Sequence, residues 1–390
     1  MYDVVITGAG AAGNYLAYKL AGLGYKVVVF EEHERIGEPV QCTGIIGAEC
    51  LDRFPLFEGA VLGEVSSSKL FCPSGRELRI SRGSVQAYVV DRAAFDRALA
   101  EKAQQQGAQY LLGSRVEDIT VLDNRVRVET EGERTFEAKT VVIASGFGSQ
   151  LAQRLGLGRV GDLAMGAQAE VSVDYIEELE VYFDQDVAPG FFAWFVPAAE
   201  GRALVGLFSR RNPGAKLRNL LESLFRQGKI VSPQVEISYG GIPLRPLPKT
   251  YLKRVIVVGD AAGQVKPTTG GGIYYGLLCA EVAVDTLHRA LSTDRFSERL
   301  FSRYQKEWKQ RIGRELRIGY FGRRIYERLT NHQIDKIFDI IESRGIHQSL
   351  LQSSDLSFDW HGDIILEGLK HLAPWRRLFG WPKNPPGEKR

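Results

Sequence analysis

Short, continuous apolar runs punctuate the chain and mark buried strands. Val4, Val5 and Ile6 form the centre of one, over residues 2–7. Such runs suit a parallel sheet covered on both faces. A stretch carrying Tyr15, Leu16, Lys19 and Leu20 predicts an amphipathic helix, and a second run over 26–30 ends at Glu31. Runs of the same kind occupy 140–144 and 255–258, with helices predicted over 93–106 and from about Ile273. Between them, segments 179–184, 191–197 and 203–209 are short and rich in aromatic and β-branched residues, the pattern of an antiparallel sheet. A helix over 217–227 interrupts that sheet, and after 297 the pattern is helical.

Composition narrows the class. A chain of 390 residues is long enough for two intimately connected domains, and 44% hydrophobic with 25% charged residues is a globular balance. The formal net charge of +3 calls for no nucleic-acid partner. Cys42, Cys50, Cys72 and Cys279 form no CxxC pair and the six histidines do not cluster, which argues against a zinc site. Few, scattered cysteines suit a reducing cytoplasm. The first strand begins at once, with no signal peptide, and no apolar run reaches the ~20 residues that span a bilayer. The expected location is therefore cytoplasmic, with peripheral contact at the inner face of the membrane as the open alternative.

The first turn carries the first chemistry. Gly8, Gly10 and Gly13 have GxGxxG spacing between the first strand and its helix. In that setting Gly8 permits a tight turn, Gly10 lets backbone approach a pyrophosphate, and Gly13 lets the helix pack close to the strand. The helix start offers N–H groups and a positive dipole end to phosphates. Glu31 suits the ribose hydroxyls of an adenosine and disfavours a 2′-phosphate. Ala12 and Glu32 complete this part of the candidate set.

A second signal decides between FAD and NAD. The strand at 255–258 ends in Gly259-Asp260, and a loop with Pro267, Gly270, Gly271 and Gly272 leads into the helix at Ile273. Asp260 can hold a ribityl hydroxyl. The helix start points its positive end at the N1/C2=O edge of an isoalloxazine, which becomes anionic on reduction. This arrangement resembles the second FAD motif of glutathione-reductase-like and hydroxybenzoate-hydroxylase-like flavoproteins. In that superfamily an arginine matching Arg92 reaches the flavin or its phosphates. The strand at 140–144 runs into Ser145-Gly146 where many flavin hydroxylases have Ala-Asp-Gly, a point against hydroxylation.

The expected fold is thus α/β: a Rossmann-like, glutathione-reductase-like FAD-binding domain with an antiparallel β-sheet substrate domain and C-terminal helices. The FAD-binding domain is discontinuous, over 1–60, 90–160 and 240–300. The sheet domain takes 61–89 and 161–239, and the helical region 301–390. That last region holds 17 Lys and Arg against 11 Asp and Glu. Arg311, Arg314, Arg317, Arg323, Arg324 and Arg328 crowd one helix, and Trp375, Leu378, Phe379 and Trp381 sit beside Arg376, Arg377 and Lys383. A solvated helical face and a membrane-surface contact both fit this mixture. Pro385-Pro386-Gly387 begins a tail expected to fray.

Three segments resemble the geranylgeranyl reductase family. They are Pro39-Val40-Gln41-Cys42-Thr43-Gly44-Ile45, then Phe183-Asp184-Gln185 with Pro189-Gly190-Phe191-Phe192-Ala193-Trp194-Phe195-Val196-Pro197, and Pro267-Thr268-Thr269-Gly270-Gly271-Gly272-Ile273. With the Gly240-Gly241-Ile242-Pro243 turn the resemblance covers most of 1–300. It implies an FAD-dependent reductase that saturates C=C bonds of an isoprenoid chain on a lipid, diphosphate or quinone. It also implies a flavin-side cysteine at Cys42 and a lipid tunnel lined by Phe192, Trp194 and Pro197. The family signature has Tyr where Phe192 stands and Phe where Val196 stands. The first change removes a polar tip and keeps the ring.

An isolated alkene has no carbonyl to polarise. The protein must hold it over the flavin at roughly 3–3.5 Å in a dry pocket, where reduced FAD supplies hydride. Cys42 is the candidate for the proton or for shaping the flavin edge. Without a second GxGxxG, the reductant is an external one, NAD(P)H or a small electron carrier, with an electron-donor protein among the candidates. Two other readings share the motifs: an FAD monooxygenase, and a membrane-peripheral flavoprotein that passes electrons to a quinone.

Overall fold

The computed structural model describes residues 1–56, 59–199, 201–343, 345 and 357–372. The C-terminal group from Trp375 to Lys383 and the tail at 385–387 lie outside them. Contacts divide the chain into two compact units. The first comprises Met1–Val40, Arg92–Leu163 and Ile242–Leu316; the second comprises Gln41–Asp91, Ala164–Gly241 and the chain from Arg317 onward.

The first unit is built on a sheet with the order β17-β18-β11-β1-β2-β8. Its strands are β1 (Tyr2–Thr7), β2 (Val27–Phe30), β8 (Gln109–Leu111), β11 (Arg134–Ile143), β17 (Tyr251–Leu252) and β18 (Val255–Val257). Val4, Val5 and Ile6 are fully buried, which is why β1 is central, with β11 and β2 parallel to it on either side. Two antiparallel strands, β9 (Val116–Val121) and β10 (Val126–Thr130), extend from β11. The helices of this unit are α1 (Ala11–Gly22), α3 (Arg92–Gln105), the short α4 (Leu151–Arg154) and α6 (Ile273–Ser292). Most of α6 is buried, as its largely apolar sequence requires.

The second unit holds two sheets. The larger has the order β16-β12-β15-β14-β13-β5-β6. Its strands are β5 (Ser67–Phe71), β6 (Glu77–Ser81), β12 (Leu163–Ser172), β13 (Leu179–Tyr182), β14 (Ala193–Pro197), β15 (Arg202–Ser209) and β16 (Ser238–Pro243). Neighbours are antiparallel at β5–β6 and from β12 through β15 to β13, and parallel at β13–β5. The smaller sheet is β3 (Ile45–Gly47), β7 (Ala87–Val90) and β4 (Val61–Val65), antiparallel throughout. Val65, Ala87, Val89, Trp194 and Val196 form one core with Phe192, Phe208 and Phe358 against it. Helices α2 (Ala48–Arg53), α5 (Pro213–Arg226), α8 (Asn331–Ser343) and α9 (Gly362–Leu372) belong here, and α7 (Glu298–Tyr326) runs from the first unit into the second.

The units are cut differently from the sequence-based division at three places, one being that the chain from Arg317 onward goes with the second unit. Residues 41–56 go with the second unit because β3 pairs with β7. The first half of α7 goes with the first unit because Tyr304, Gln305 and Trp308 bond to Val257 and Thr250. The α7 arginines are partly internal. Arg311 pairs with Glu281, and Arg324 with Glu327 at 2.9 Å. Arg323 is buried, lies 3.3 Å above the Phe191 ring centre and donates to the Gly190 carbonyl. Among the described residues, no helix is long and apolar enough to cross a membrane.

Candidate cofactor and substrate sites

In the first unit the two glycine motifs converge on Ala12. A Cβ on Gly259 would stand 3.5 Å from the Ala12 Cβ, and one on Gly276 3.8 Å from it. The turn after β18 and the start of α6 are thereby pressed against the start of α1. Gly8 has φ +98°, and a Cβ there would fall 2.5 Å from the Ala144 carbonyl, so Gly8 meets both the turn and the close-approach requirement. A Cβ on Gly13 would sit 2.0 Å from the Gly8 carbonyl, which locks α1 onto the turn. Gly10 has nothing within 4 Å of its Cβ position. Open backbone of this kind admits a phosphate.

Two long helices, α1 and α6, begin at glycines, Gly10 and Gly272, and neither has a side-chain cap or an acid in its first turn. Uncapped helix starts of this sort bind anions. Glu31 follows β2. Its Oε2 accepts the Ala9 N–H at 2.8 Å, and its Oε1 accepts from the His33 backbone at 3.1 Å with the His33 ring at 2.6 Å. Glu32 is exposed and lies 3.7 Å from Arg115. An open cleft beside Glu31 is lined by His33, Glu34, Arg35, Glu38 and Pro39.

Asp260 sits in a single 3-10 turn, Gly259–Ala262, after β18. Burial pushes its carboxyl up to about 6, with the Arg92 guanidinium pulling the other way. Arg92 opens α3 and pairs with Asp96 at 2.6 Å. Burial raises the Asp96 carboxyl as well, opposed by Arg92. Ser145 and Gly146 end β11's loop beside Gly8, and Gly146 has φ +68° with open space at its Cβ position. The hydroxyls of Thr7, Ser145 and Thr269 are buried without a hydrogen-bond partner. Orphaned donors around an open glycine backbone are what a dinucleotide with ribityl and pyrophosphate oxygens would satisfy. The residues present therefore fit FAD.

Several residues of this site carry no sequence signal of their own. Gln264 accepts the Gly259 N–H at 2.8 Å and donates to the Tyr304 hydroxyl, which donates to the Val257 carbonyl, both at 2.8 Å. This buried chain fixes the turn that presents Asp260. Asn14, fully buried, donates to the carbonyls of Ala9 and Asp96 and accepts from Tyr110. Gln264 and Lys266 could have been noticed as polar residues inside an otherwise apolar and glycine-rich motif. Tyr304 could not, lying 40 residues further on.

In the second unit, β14 carries Trp194 and Val196 on the face that forms the inter-sheet core. The indole lies flat over Gly206, where a Cβ would fall 2.4 Å from the ring. Phe192 is half-buried, with ring centres of Trp194, Phe183 and Phe208 at 6.0, 6.1 and 6.4 Å. Pro197 ends β14, half-buried. Trp194 Nε1 and the Tyr326 hydroxyl are buried without hydrogen-bond partners, and burial pushes the Tyr326 phenol up. Such a dry aromatic wall suits an apolar ligand. Cys42 is exposed, and its Sγ accepts the Gly44 N–H at 3.3 Å. Its neighbour Thr43 bonds Gln168 at 2.5 Å.

A family model described as lycopene cyclase protein matches residues 3–352. A digeranylgeranylglycerophospholipid reductase of Methanocaldococcus jannaschii is 32% identical over 368 residues, covering 87% of this chain and 90% of that protein. A solved geranylgeranyl bacteriochlorophyll reductase-like protein of Thermoplasma acidophilum superposes with TM-score 0.83 at 22% identity, covering 97% of this chain and 99% of that one. A variant of halogenase PltM in complex with FAD superposes at 0.70 and 14% identity, covering 98% and 93%. At those identities the two structures speak for the fold.

Proposed function

Because the chain belongs to the lycopene cyclase protein family and, within its curated relatives, to the digeranylgeranylglycerophospholipid reductases, we propose that it is an FAD-dependent reductase. Its reaction is the addition of hydrogen across the C=C bonds of geranylgeranyl chains on a glycerophospholipid. The activity follows the relative, whose likeness runs over 87% of the chain, and not the broader family description. The observation that carries the cofactor is the meeting of two uncapped helix starts at Ala12.

We assign FAD to the first unit. The α1 start and Gly10 hold the pyrophosphate, Glu31 the adenosine ribose, and Asp260 a ribityl hydroxyl, while Arg92 balances charge. The α6 start, with Gly271, Gly272 and Ile273, would hold the flavin ring and favour the negative charge it gains on reduction. When bound, FAD supplies the hydride. The second unit is the substrate domain. Phe192, Trp194 and Pro197 hold the isoprenoid and keep water from it, which an unpolarised alkene needs more than it needs charge. Cys42 Sγ holds the proton that completes the addition. The reductant is external, NAD(P)H or a small electron carrier, with a donor protein among the candidates.

The test is direct. The purified protein, yellow with flavin, is reduced anaerobically with dithionite and given a geranylgeranyl glycerophospholipid. Mass gains in steps of about two hydrogens per double bond are expected, the hydride-plus-proton stoichiometry. A hydroxylated product formed with oxygen, and no saturation, would replace this reading by the monooxygenase.

A further inference from the structure

Gly270, Gly271 and Gly272 precede α6, and each is glycine for a different reason. Gly270 has φ +75°, a turn conformation that side chains resist. Gly271 has no such φ, yet a Cβ there would fall 2.5 Å from Lys266 Cε and 3.1 Å from Lys266 Nζ. At Gly272, with φ −106°, a Cβ would fall 2.7 Å from Asp260 Oδ1. One glycine thus makes room for an ammonium and the next for a carboxylate, both at the start of a 20-residue helix.

Lys266 is only 4% exposed. The loop closes around it: its N–H donates to the Gly271 carbonyl at 3.1 Å, and its carbonyl accepts the Gly270 N–H at 2.9 Å. Withdrawing an ammonium from water is costly, and a methionine of similar length would fill the same space without that penalty. A lysine kept there acts through its charge. It stands behind the glycine turn, so it acts on a ligand through that turn and at short range in a low-dielectric setting.

We propose that Lys266 is a positioning residue that fixes a positive charge behind the Gly270–Gly272 turn and thereby raises the reduction potential of bound FAD. The inference rests on the assignment of FAD to this unit. Reduction adds two electrons and one proton to the ring system, with dithionite or the physiological donor oxidised in step, and leaves one net negative charge. Lys266 and the α6 start favour that charged form over the neutral oxidised one.

The experiment is a reduction titration of the FAD-loaded protein against reference dyes, for wild type, Lys266→Met, Lys266→Arg and Gly271→Ala. Lys266→Met is expected to shift the oxidised/reduced equilibrium at least about tenfold toward oxidised FAD, ~30 mV for a two-electron couple. Lys266→Arg keeps the charge and is expected to stay close to the wild-type potential. Gly271→Ala presses on the lysine stem without removing the charge and gives a smaller shift in the same direction. That variant carries the test if Lys266→Met does not fold. FAD-loaded Lys266→Met with an oxidised/reduced equilibrium within about twofold of wild type, or an equal shift in Lys266→Arg, overturns the proposal and leaves the FAD assignment standing. A folded wild-type chain that takes up no FAD overturns both.

Discussion

The Asp359 carboxylate occupies the space where a Gly47 side chain would be. A Cβ on Gly47 would fall 1.9 Å from Asp359 Oδ2, and Asp359 is 2% exposed. Gly47 has φ −68° and ψ 152°, which any residue adopts, so its glycine is required for space. The neighbouring Trp360 indole donates to Glu49 at 2.7 Å, and Phe358 packs on the Trp194 core. We expect Gly47→Ala to destabilise the protein by roughly 1–3 kcal/mol, as overpacking does. Denaturant unfolding measures it. Asp359→Gly should relieve most of the loss in the double variant; additive losses would show that the clash is not the cause.

The chain Gly259–Gln264–Tyr304–Val257 predicts a second effect. Tyr304→Phe removes the donor to the Val257 carbonyl and the acceptor of Gln264 in a buried setting. A loss of about 1–3 kcal/mol is expected. Because this chain holds the turn under Asp260, FAD should also dissociate faster, seen as recovery of flavin fluorescence on dilution. Unchanged FAD release would separate the network from the cofactor site.

Asp260 gives a pH dependence with a definite sign. Its carboxyl titrates near about 6 in the folded, FAD-free chain, above the ordinary 3.8. The folded chain therefore holds this proton more tightly than the unfolded one. The contribution to stability is complete below about pH 3.8 and is lost as pH rises through about 6. Asp260→Asn should flatten that fall in the FAD-free protein, read as unfolding midpoints at pH 4, 5, 6 and 7. A variant whose midpoints track wild type at every pH would remove Asp260 from the account.

The proton-donor role proposed for Cys42 can be tested separately from flavin reduction. Cys42→Ala should leave flavin reduction by dithionite unchanged and slow reoxidation by the lipid by about a hundredfold, within the range of general acid catalysis. Anaerobic stopped-flow measurements in the oxidised-flavin absorption band resolve the two. Reoxidation at the wild-type rate would place the proton elsewhere.

Much of the fold is legible in the chain because the signals are local. Val4 to Ile6, the glycines after them and Glu31 fall within one strand–helix–strand unit. The strands at 179–182, 193–197 and 202–209 follow from side-chain type and period. What the sequence does not display are relations between distant residues. Arg323 reads as one of a row of surface arginines, yet it lies buried over Phe191, 132 residues earlier, because a planar cation can stack on a ring. Gly47 carries no signal in the sequence, and Asp359, 312 residues later, explains it. The glycines at 271 and 272 read as the approach to a flavin-facing helix start; the side chains of Lys266 and Asp260 add a packing reason for each.

The chain passes between the two units five times, at residues 40, 91, 163, 241 and 316. Neither unit is therefore a continuous stretch that could be excised and expressed alone. The central strand β1 leaves the ribosome well before its neighbour β11, which starts more than 130 residues later, and Tyr304, which steadies the Asp260 turn, comes later still. At about 5–20 residues per second that interval lasts on the order of 15 to 60 seconds. For that time the apolar β1 and its phosphate-ready turn exist without the partners that complete them. The pocket that the two glycine motifs build is thus assembled only after the β18 turn and Tyr304 have been synthesised, so a cofactor held there binds late.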